Sequence, residues 1–281
     1  AGMEVPEIAH LLYNLHPKVK KELGLGHSRA PLELRSLPTV ALSETGSHVV
    51  IREGRAEMAD GRPHPQAAPF AELMRRLTLF AGLLGQLSTK SPPALEGGLT
   101  SLETLTELAG LARLGLDLKR MGKKDMREFL RILLSNAYDL ILDDLEDGPL
   151  AGALAADAVR GAFAGPRSPG TVFTLMYRLS QGGGAQLPIG GMGAVSAAFE
   201  AAARAAGVEI RTGTGVAQVR VENDRAAGVV LEDGTEIAAR AVLSNAGPMP
   251  TMKLAGAEHY DVEMVRRMRN QRCKGTAAKV N

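Results

Sequence analysis

Residues 187–248 read LPIGGMGAVSAAFEAAARAAGVEIRTGTGVAQVRVENDRAAGVVLEDGTEIAARAVLSNAGP, and this stretch decides the fold. A short extended approach meets the glycine turn Gly190-Gly191-Met192-Gly193, after which Val195, Phe199, Ala202, Ala203 and Ala206 recur at helical spacing. That spacing predicts a helix with one buried face. Gly207 stands where a left-handed C-terminal cap is wanted. Beyond it, Val208-Glu209-Ile210 predicts a strand, Val216 to Val221 a second and Ala227 to Leu231 a third. Asp233-Gly234 predicts a two-residue hairpin turn into Thr235 to Ala238. Ala241-Val242-Leu243 reads as a last short apolar strand that stops at Ser244-Asn245-Ala246-Gly247. The whole is a helix-plus-sheet module of the α/β class, ending in small polar residues at a strand's C-terminal end. Open α/β sheets hold their ligands there.

The residues upstream read mostly as helix. Ile8, Leu11, Leu12, Leu15 and Val19 predict a helix over 4–23, broken or restarted near His16 by Pro17 and ended by Gly24-Leu25-Gly26. Residues 32–52 predict a hairpin returning through 44–47, and 54–68, with Gly54, Gly61, Pro63 and Pro65, a polar connector. Phe70, Leu73, Met74, Leu77, Phe80, Leu84 and Leu87 form a wide apolar stripe, which predicts a packed helix. Thr100 or Ser101 is placed to cap a further helix whose buried face is Leu105, Leu108, Leu111, Ala112 and Leu116. Lys119 to Lys124 reads as a basic turn, and Met126 to Leu145 as one helix capped from Asp125. An alanine-rich helix over 150–164 and another over 172–179 follow, and Val262 to Met268 is helical again.

Bulk properties exclude several classes. A chain of 281 residues with 45% hydrophobic and 23% charged residues can bury a sizeable core. The net charge of +2, with both signs interspersed, gives no basic stripe for nucleic acid. Cys273 is the only cysteine, so no internal disulfide can form, which suits a reducing compartment such as the cytoplasm. No run of about 18 apolar residues suggests a membrane span. The start, Ala1 to Pro6, lacks the basic and apolar regions of a signal peptide, and Thr276 to Asn281 reads as a strand cut partway; the chain is expected to be a fragment.

Motif by motif, most catalytic chemistries find no support. Gly191 and Gly193 start a dinucleotide fingerprint, but Ser196 stands where its third glycine belongs. Neither Gly122-Lys123-Lys124 nor Gly275-Thr276 completes a phosphate-binding P-loop. The six histidines show no pairing at metal-ligand spacing, so no metal site is expected. No Gly-x-Ser-x-Gly elbow exists, and the acidic run Asp143 to Asp147 reads as a solvated helix end. The Phe70–Leu87 stripe is read as core, with lipid contact as its rival. Only Gly190 to Gly193 carries a functional suggestion beside the plain one of a tight turn. A helix N-terminus offers free N–H groups to an anionic or electron-rich ligand.

The order Pro-x-Gly-Gly-Met-Gly-Ala, helix, Gly-Val-Glu-Ile, Gly-Val-x-Leu-Glu-Asp-Gly-Thr-Glu-Ile, then Val-Leu-Ser-Asn-Ala resembles the phytoene dehydrogenase-related FAD oxidoreductases. The branch it is most similar to is the pyridine nucleotide-disulfide oxidoreductase domain-containing protein 2 type. Leu150 to Gly170 and Pro38 to Leu42 also look like that branch. The resemblance implies a partial Rossmann-like FAD-binding domain joined to a largely helical substrate domain. It divides the chain into a substrate region over 1–185, a middle segment of the FAD domain over 186–256, and a return over 257–281. It places the backbone of Val216 at the adenine end of FAD and Ser244, Asn245 and Ala246 at the end of a cofactor-facing strand. Gly190, Gly191 and Met192 fall where the substrate region rejoins the FAD domain. FAD would take hydride from an apolar substrate under the 69–180 helices, the flavin doing the redox chemistry. The family's pyrophosphate fingerprint is missing, so weak or no FAD binding is expected of this chain alone. A non-catalytic scaffold keeping the fold is the alternative. Peripheral membrane contact, a mitochondrial location and a homo-oligomer stay open, and no residue is nominated as catalytic base.

Overall fold

Pro17 sets the start of the first helix. A proline disfavours helical backbone in the residue before it and is pre-set for the first helical position. His16 is accordingly extended (φ −61°, ψ 130°), its Nδ1 accepting from the Lys18 N–H at 3.1 Å, and α1 runs Pro17–Glu22. The helix expected over 4–23 is therefore corrected: residues 9–16 are not helical, and Leu12 instead exchanges backbone hydrogen bonds of 2.8 and 3.0 Å with Gln186. The computed structural model describes residues 9–87, 112, 115–116, 119–180 and 182–271. They fall into two compact units, one reaching Ala206 and the other starting at Gly207.

In the first unit β1 (Leu34–Ser36) departs from the expected hairpin and pairs antiparallel with β5 (Gln186–Pro188), Leu34 opposite Pro188. The hairpin itself forms from β2 (Thr39–Ala41) and β3 (Val49–Arg52), then gains a third strand, β4 (Arg55–Met58), from the expected connector. Glu53 and Gly54 have φ of 50° and 76°, the left-handed pair that a two-residue turn needs to fold the chain straight back.

The helical stripe holds as read. Helix α2 (Ala67–Leu87) buries Phe70, Leu73, Leu77, Phe80 and Leu84. The next expected helix falls almost wholly on residues outside those described. The single helix expected over 126–145 is two, α3 (Gly122–Leu133) and α4 (Ala137–Leu142). Asn136 explains the break: its side chain accepts from the Asp139 N–H at 2.9 Å, capping a new helix. Asp125 sits in the first turn of α3 rather than capping it, and Lys123 and Lys124, read as a turn, are helical. Helices α5 (Pro149–Val159) and α6 (Thr171–Ser180) complete the bundle, with Ala151, Ala155 and Ala158 buried where small side chains allow close approach. One core gathers Phe70, Phe80, Phe129, Ile141, Leu150 and Met176. Thr171 is buried and hydrogen-bonded, its Oγ1 accepting from the Ala137 N–H at 2.8 Å. Arg76 ties α2 to Glu128 at 2.9 Å and to Asp144.

A second, smaller core lies where α7 (Gly191–Ala205) meets Leu25, Ala30 and Leu32 through Val195 and Ala198. Phe199 and Ala206, expected inside, are exposed, because the contact runs along Val195, Ala198 and Ala202. The alanines let the 25–32 segment come close, and Phe199 points off that line.

The second unit is an antiparallel meander of β6 (Val216–Glu222), β7 (Arg225–Leu231) and β8 (Glu236–Ala238). Helix α8 (Pro248–Ala255) packs on β6, and α9 (Val262–Asn270) is capped by Asp261, which accepts from the Met264 N–H at 2.8 Å. Two expected strands do not form. Residues 208–210 and 241–243 have strand composition, but no described strand pairs with them, and a strand exists only by its ladder. Val208 stays 51% exposed and Leu243 fully so. The fold class stands as read: mixed α and β, with helices beside small antiparallel sheets.

Candidate functional site

The expected site residues fall in both units, Gly190, Gly191 and Met192 in the first and Val216, Ser244, Asn245 and Ala246 in the second. Within the first, β5 delivers the chain to the turn, where Gly190 and Gly191 both take positive φ (85° and 74°) and α7 begins. A side chain on either would be strained. Met192 is half-buried against the smaller core. Beside the turn lies an open cleft of about 590 Å³ lined by Ile189 and Ala194 with His27, Pro31, Leu32 and Glu33. The Ile189 N–H donates to the Glu33 carbonyl at 3.0 Å, which fixes one wall to the other. The 27–33 wall was not legible beforehand, since nothing in residue spacing brings it to the glycine turn.

In the second unit Val216 opens β6, an edge strand of its sheet. Its register fixes which way its backbone points. Val216 stands opposite Leu231, whose N–H donates to the Thr235 carbonyl at 2.9 Å, on the far side of β7. The neighbouring Glu232 N–H donates to the Gly215 carbonyl at 2.9 Å instead. Leu231 and Val216 are thus a non-hydrogen-bonded pair, so the Val216 N–H and C=O both turn to the open edge. A donor and an acceptor side by side match the edge of an adenine ring. A bulge between Val216 and Gln218 sets this residue apart from the regular ladder.

Ser244, Asn245 and Ala246 form a bend leading to α8. Ser244 Oγ lies 2.6 Å from Thr251 Oγ1 and accepts from the Ala246 N–H at 3.3 Å. Ser244 also lines a hollow of about 250 Å³ between β6, β7 and α8, with Val219, Val221, Val242, Thr251 and Tyr260. His259 and Asp224 close it, Nδ1 of His259 lying 3.9 Å from the Asp224 carboxylate. Helix α8, which makes one wall, was not read from the sequence. Pro248 after Gly247 is its signal, a proline at the first helical position. Val216 does not line this hollow, so the two expected cofactor contacts of this unit are separate places on it.

The Asp233-Gly234 turn beneath the sheet is held by its own carboxylate. The Thr235 N–H donates to Asp233 Oδ1 at 2.9 Å, and this bond holds the Asp233 carboxyl below the usual aspartate range. A depressed folded value means the bond supports the turn above the ordinary aspartate value and is lost as pH falls through the lowered one. We expect NMR titration of Asp233 to give a midpoint below that of an unstructured aspartate, and Thr235→Pro, which removes the donor, to restore it.

The residues present fit part of a flavin dinucleotide. The open edge at Val216 suits the adenine end and the small bend at 244–246 admits a close approach. No Gly-x-Gly-x-x-Gly occurs anywhere in the chain to hold the pyrophosphate. Among the described residues no group of three or more His, Cys, Asp or Glu could hold a metal ion, and no helix is long and apolar enough to cross a membrane.

Residues 11–271 match the family described as flavin containing amine oxidoreductase, and the chain belongs to that family. It is similar to pyridine nucleotide-disulfide oxidoreductase domain-containing protein 2 of Rattus norvegicus, 29% identical over 303 aligned positions that cover 100% of this chain and 51% of the relative. The Mus musculus protein of the same name is 31% identical over 231 positions, 78% of this chain and 39% of that protein. The chain therefore spans about half the length, or less, of these curated relatives. The likeness to the pyridine nucleotide-disulfide oxidoreductase domain-containing protein 2 type, read from the 187–248 motif, is borne out by these matches. A solved oxidoreductase from Methanosarcina mazei aligns over 93% of this chain and 52% of its own, with a TM-score of 0.46 and 18% identity.

Proposed function

We propose that the protein works as an FAD-dependent oxidoreductase of the dehydrogenase or desaturase kind, oxidising an apolar substrate. The observation that carries this is the family match across residues 11–271. In this reading residues 1–185 belong to the substrate region, 186–256 to the FAD-binding region and 257–281 to a return towards the substrate region. Electron acceptance is the flavin's own chemistry. This chain's residues bind and orient. The Val216 N–H and C=O meet the adenine, and the 244–246 bend lies along the cofactor. The Gly190–Met192 turn presents main chain unscreened by side chains, and the helices from 67 to 180 exclude water from an apolar substrate. The pyrophosphate is held by residues other than these.

The test is bound flavin. The full-length protein is expected to purify yellow, with FAD released on denaturation. A colourless protein that takes up no FAD when it is added overturns the proposal. The adenine contact has its own test, because it is made by backbone. Val216→Ala should leave FAD affinity unchanged, while Val216→Pro, which removes an N–H that the β-ladder does not use and fixes φ there, should weaken it by roughly tenfold or more, the worth of at least one hydrogen bond. Equal affinities for the two variants would remove Val216 from the site.

A further inference from the structure

Two arginines of the first unit crowd together away from the glycine turn and its cleft. Arg160 closes α5 and Arg178 lies in the last turn of α6, and Arg178 Nη2 donates to the Arg160 carbonyl at 2.5 Å. The Arg160 guanidinium stacks over Tyr13, 5.1 Å from the ring centre, and its Nη2 is paired with Asp157. Among the described residues Arg178 has no carboxylate oxygen within ion-pair reach. Its half-buried guanidinium faces a like charge, and burial first, then Arg160, pushes it below the usual arginine range, with Asp157 and Tyr13 pulling the other way.

Both arginines line one narrow, partly enclosed cavity of about 60 Å³, together with Tyr13, Asn14, Asp157 and the loop at Gly183-Gly184. Gly183 and Gly184 take positive φ (62° and 52°), so this wall is bare main chain. The volume equals the share of about two water molecules in the liquid, enough for one oxyanion group and far too little for a nucleotide. Two guanidiniums against one carboxylate leave the cavity a net positive charge. A half-buried guanidinium held beside a second, more exposed one favours an anion that completes the cluster. The planar donor fork of arginine matches phosphate oxygens two at a time.

We propose that the Arg160–Arg178 cavity is a binding site for a phosphoryl group, either free phosphate or the phosphate of a small organic ester. Arg178 is its principal donor, Arg160 the second, and Asp157 a competitor that holds Arg160 when the site is empty of anion.

The probes are inorganic phosphate and glycerol 3-phosphate, titrated into the intact chain by calorimetry and by NMR of the Gly183 and Gly184 amides. Saturable binding that weakens with added sodium chloride is expected. Arg178→Ala should weaken it about tenfold or more, and Arg178→Lys, which keeps the charge but loses the fork, should fall between. Asp157→Asn should tighten binding several-fold by releasing Arg160, an effect opposite in sign to that of a lost structural ion pair. Circular dichroism of each variant separates loss of binding from loss of fold, and Arg178→Lys and Asp157→Asn decide the matter if Arg178→Ala does not fold. Binding of the ester at least as tight as phosphate marks an organic ligand, and binding of inorganic phosphate alone marks the free ion. Either supports the site. No saturable binding of either probe, unchanged affinity in folded Arg178→Ala or Arg178→Lys, or weaker binding in Asp157→Asn overturns it.

Discussion

Gly228→Ala is expected to cost the second unit about 3 kcal/mol or more, the sum of a left-handed strain of 1–3 kcal/mol and an overpacking cost of similar size. The reason lies in the β7–β8 ladder, where Gly228 stands opposite Ala238 with φ +154°. A Cβ there would lie 2.1 Å from the Ile237 carbonyl oxygen and 3.0 Å from the Ala238 Cα, both main chain. Neither can swing aside without parting the two strands. Gly234→Ala is the matching control: φ is +84°, yet no heavy atom lies within 4 Å of the added carbon. It should cost only the left-handed penalty, roughly 1–2 kcal/mol. Urea unfolding followed by the NMR signals of β6 to β8 compares the two. If Gly228→Ala proves no worse than Gly234→Ala, collision with the Ile237 carbonyl is not what selects glycine at 228.

The second large effect belongs to the helical core. Phe80 is buried and meets Phe129 with ring centres 5.5 Å apart at a tilt of 53°, joining α2 to α3. Phe80→Ala should lower the stability of this unit by about 3–5 kcal/mol, because the surrounding helices cannot fully collapse on the cavity. Phe129→Ala removes the other half of the pair. The double variant should be less destabilised than the sum of the two, by about 0.5–1.5 kcal/mol, the direct ring–ring term. Strict additivity would mean the rings fill space independently. Thermal unfolding monitored at the helix signal supplies all four corners of the cycle.

What could be read ahead of the structure was what neighbours in sequence decide. The α2 stripe, the Gly190 turn into α7, the Gly207 stop and the Asp233-Gly234 turn all depend on residues within a turn or two of each other. They appear where spacing put them. What failed depends on partners. Residues 208–210 and 241–243 carry strand composition, but a strand needs a ladder, and no described strand pairs with them. Residues 34–36 looked bound for the local hairpin and went instead to 186–188. Asn136 shows a smaller blind spot: helical periodicity runs through it without a gap, and only its side chain's preference for capping divides α3 from α4. The candidate site shares this split. Gly190 and Val216 could be named from motif order, whereas the cleft wall at 27–33, the hollow under Ser244 and the Arg160–Arg178 cavity come from contacts between distant segments.

The pairing of β1 with β5 also bears on how the chain is made. Leu34 leaves the ribosome roughly 150 residues before Pro188, its partner. At 5–20 residues per second that is a wait of about 8–30 s. Closing so long a loop costs about 4 kcal/mol in chain entropy beyond the fixed term, so the pair cannot form early and stay formed. The helices between Ala67 and Ser180 have time to assemble first. Ser36 and Gln186 then meet as the two ends of a finished insert, and α7 closes on Leu25, Ala30 and Leu32 after them. Until that moment β1 is an unpaired edge, open to any nascent neighbour.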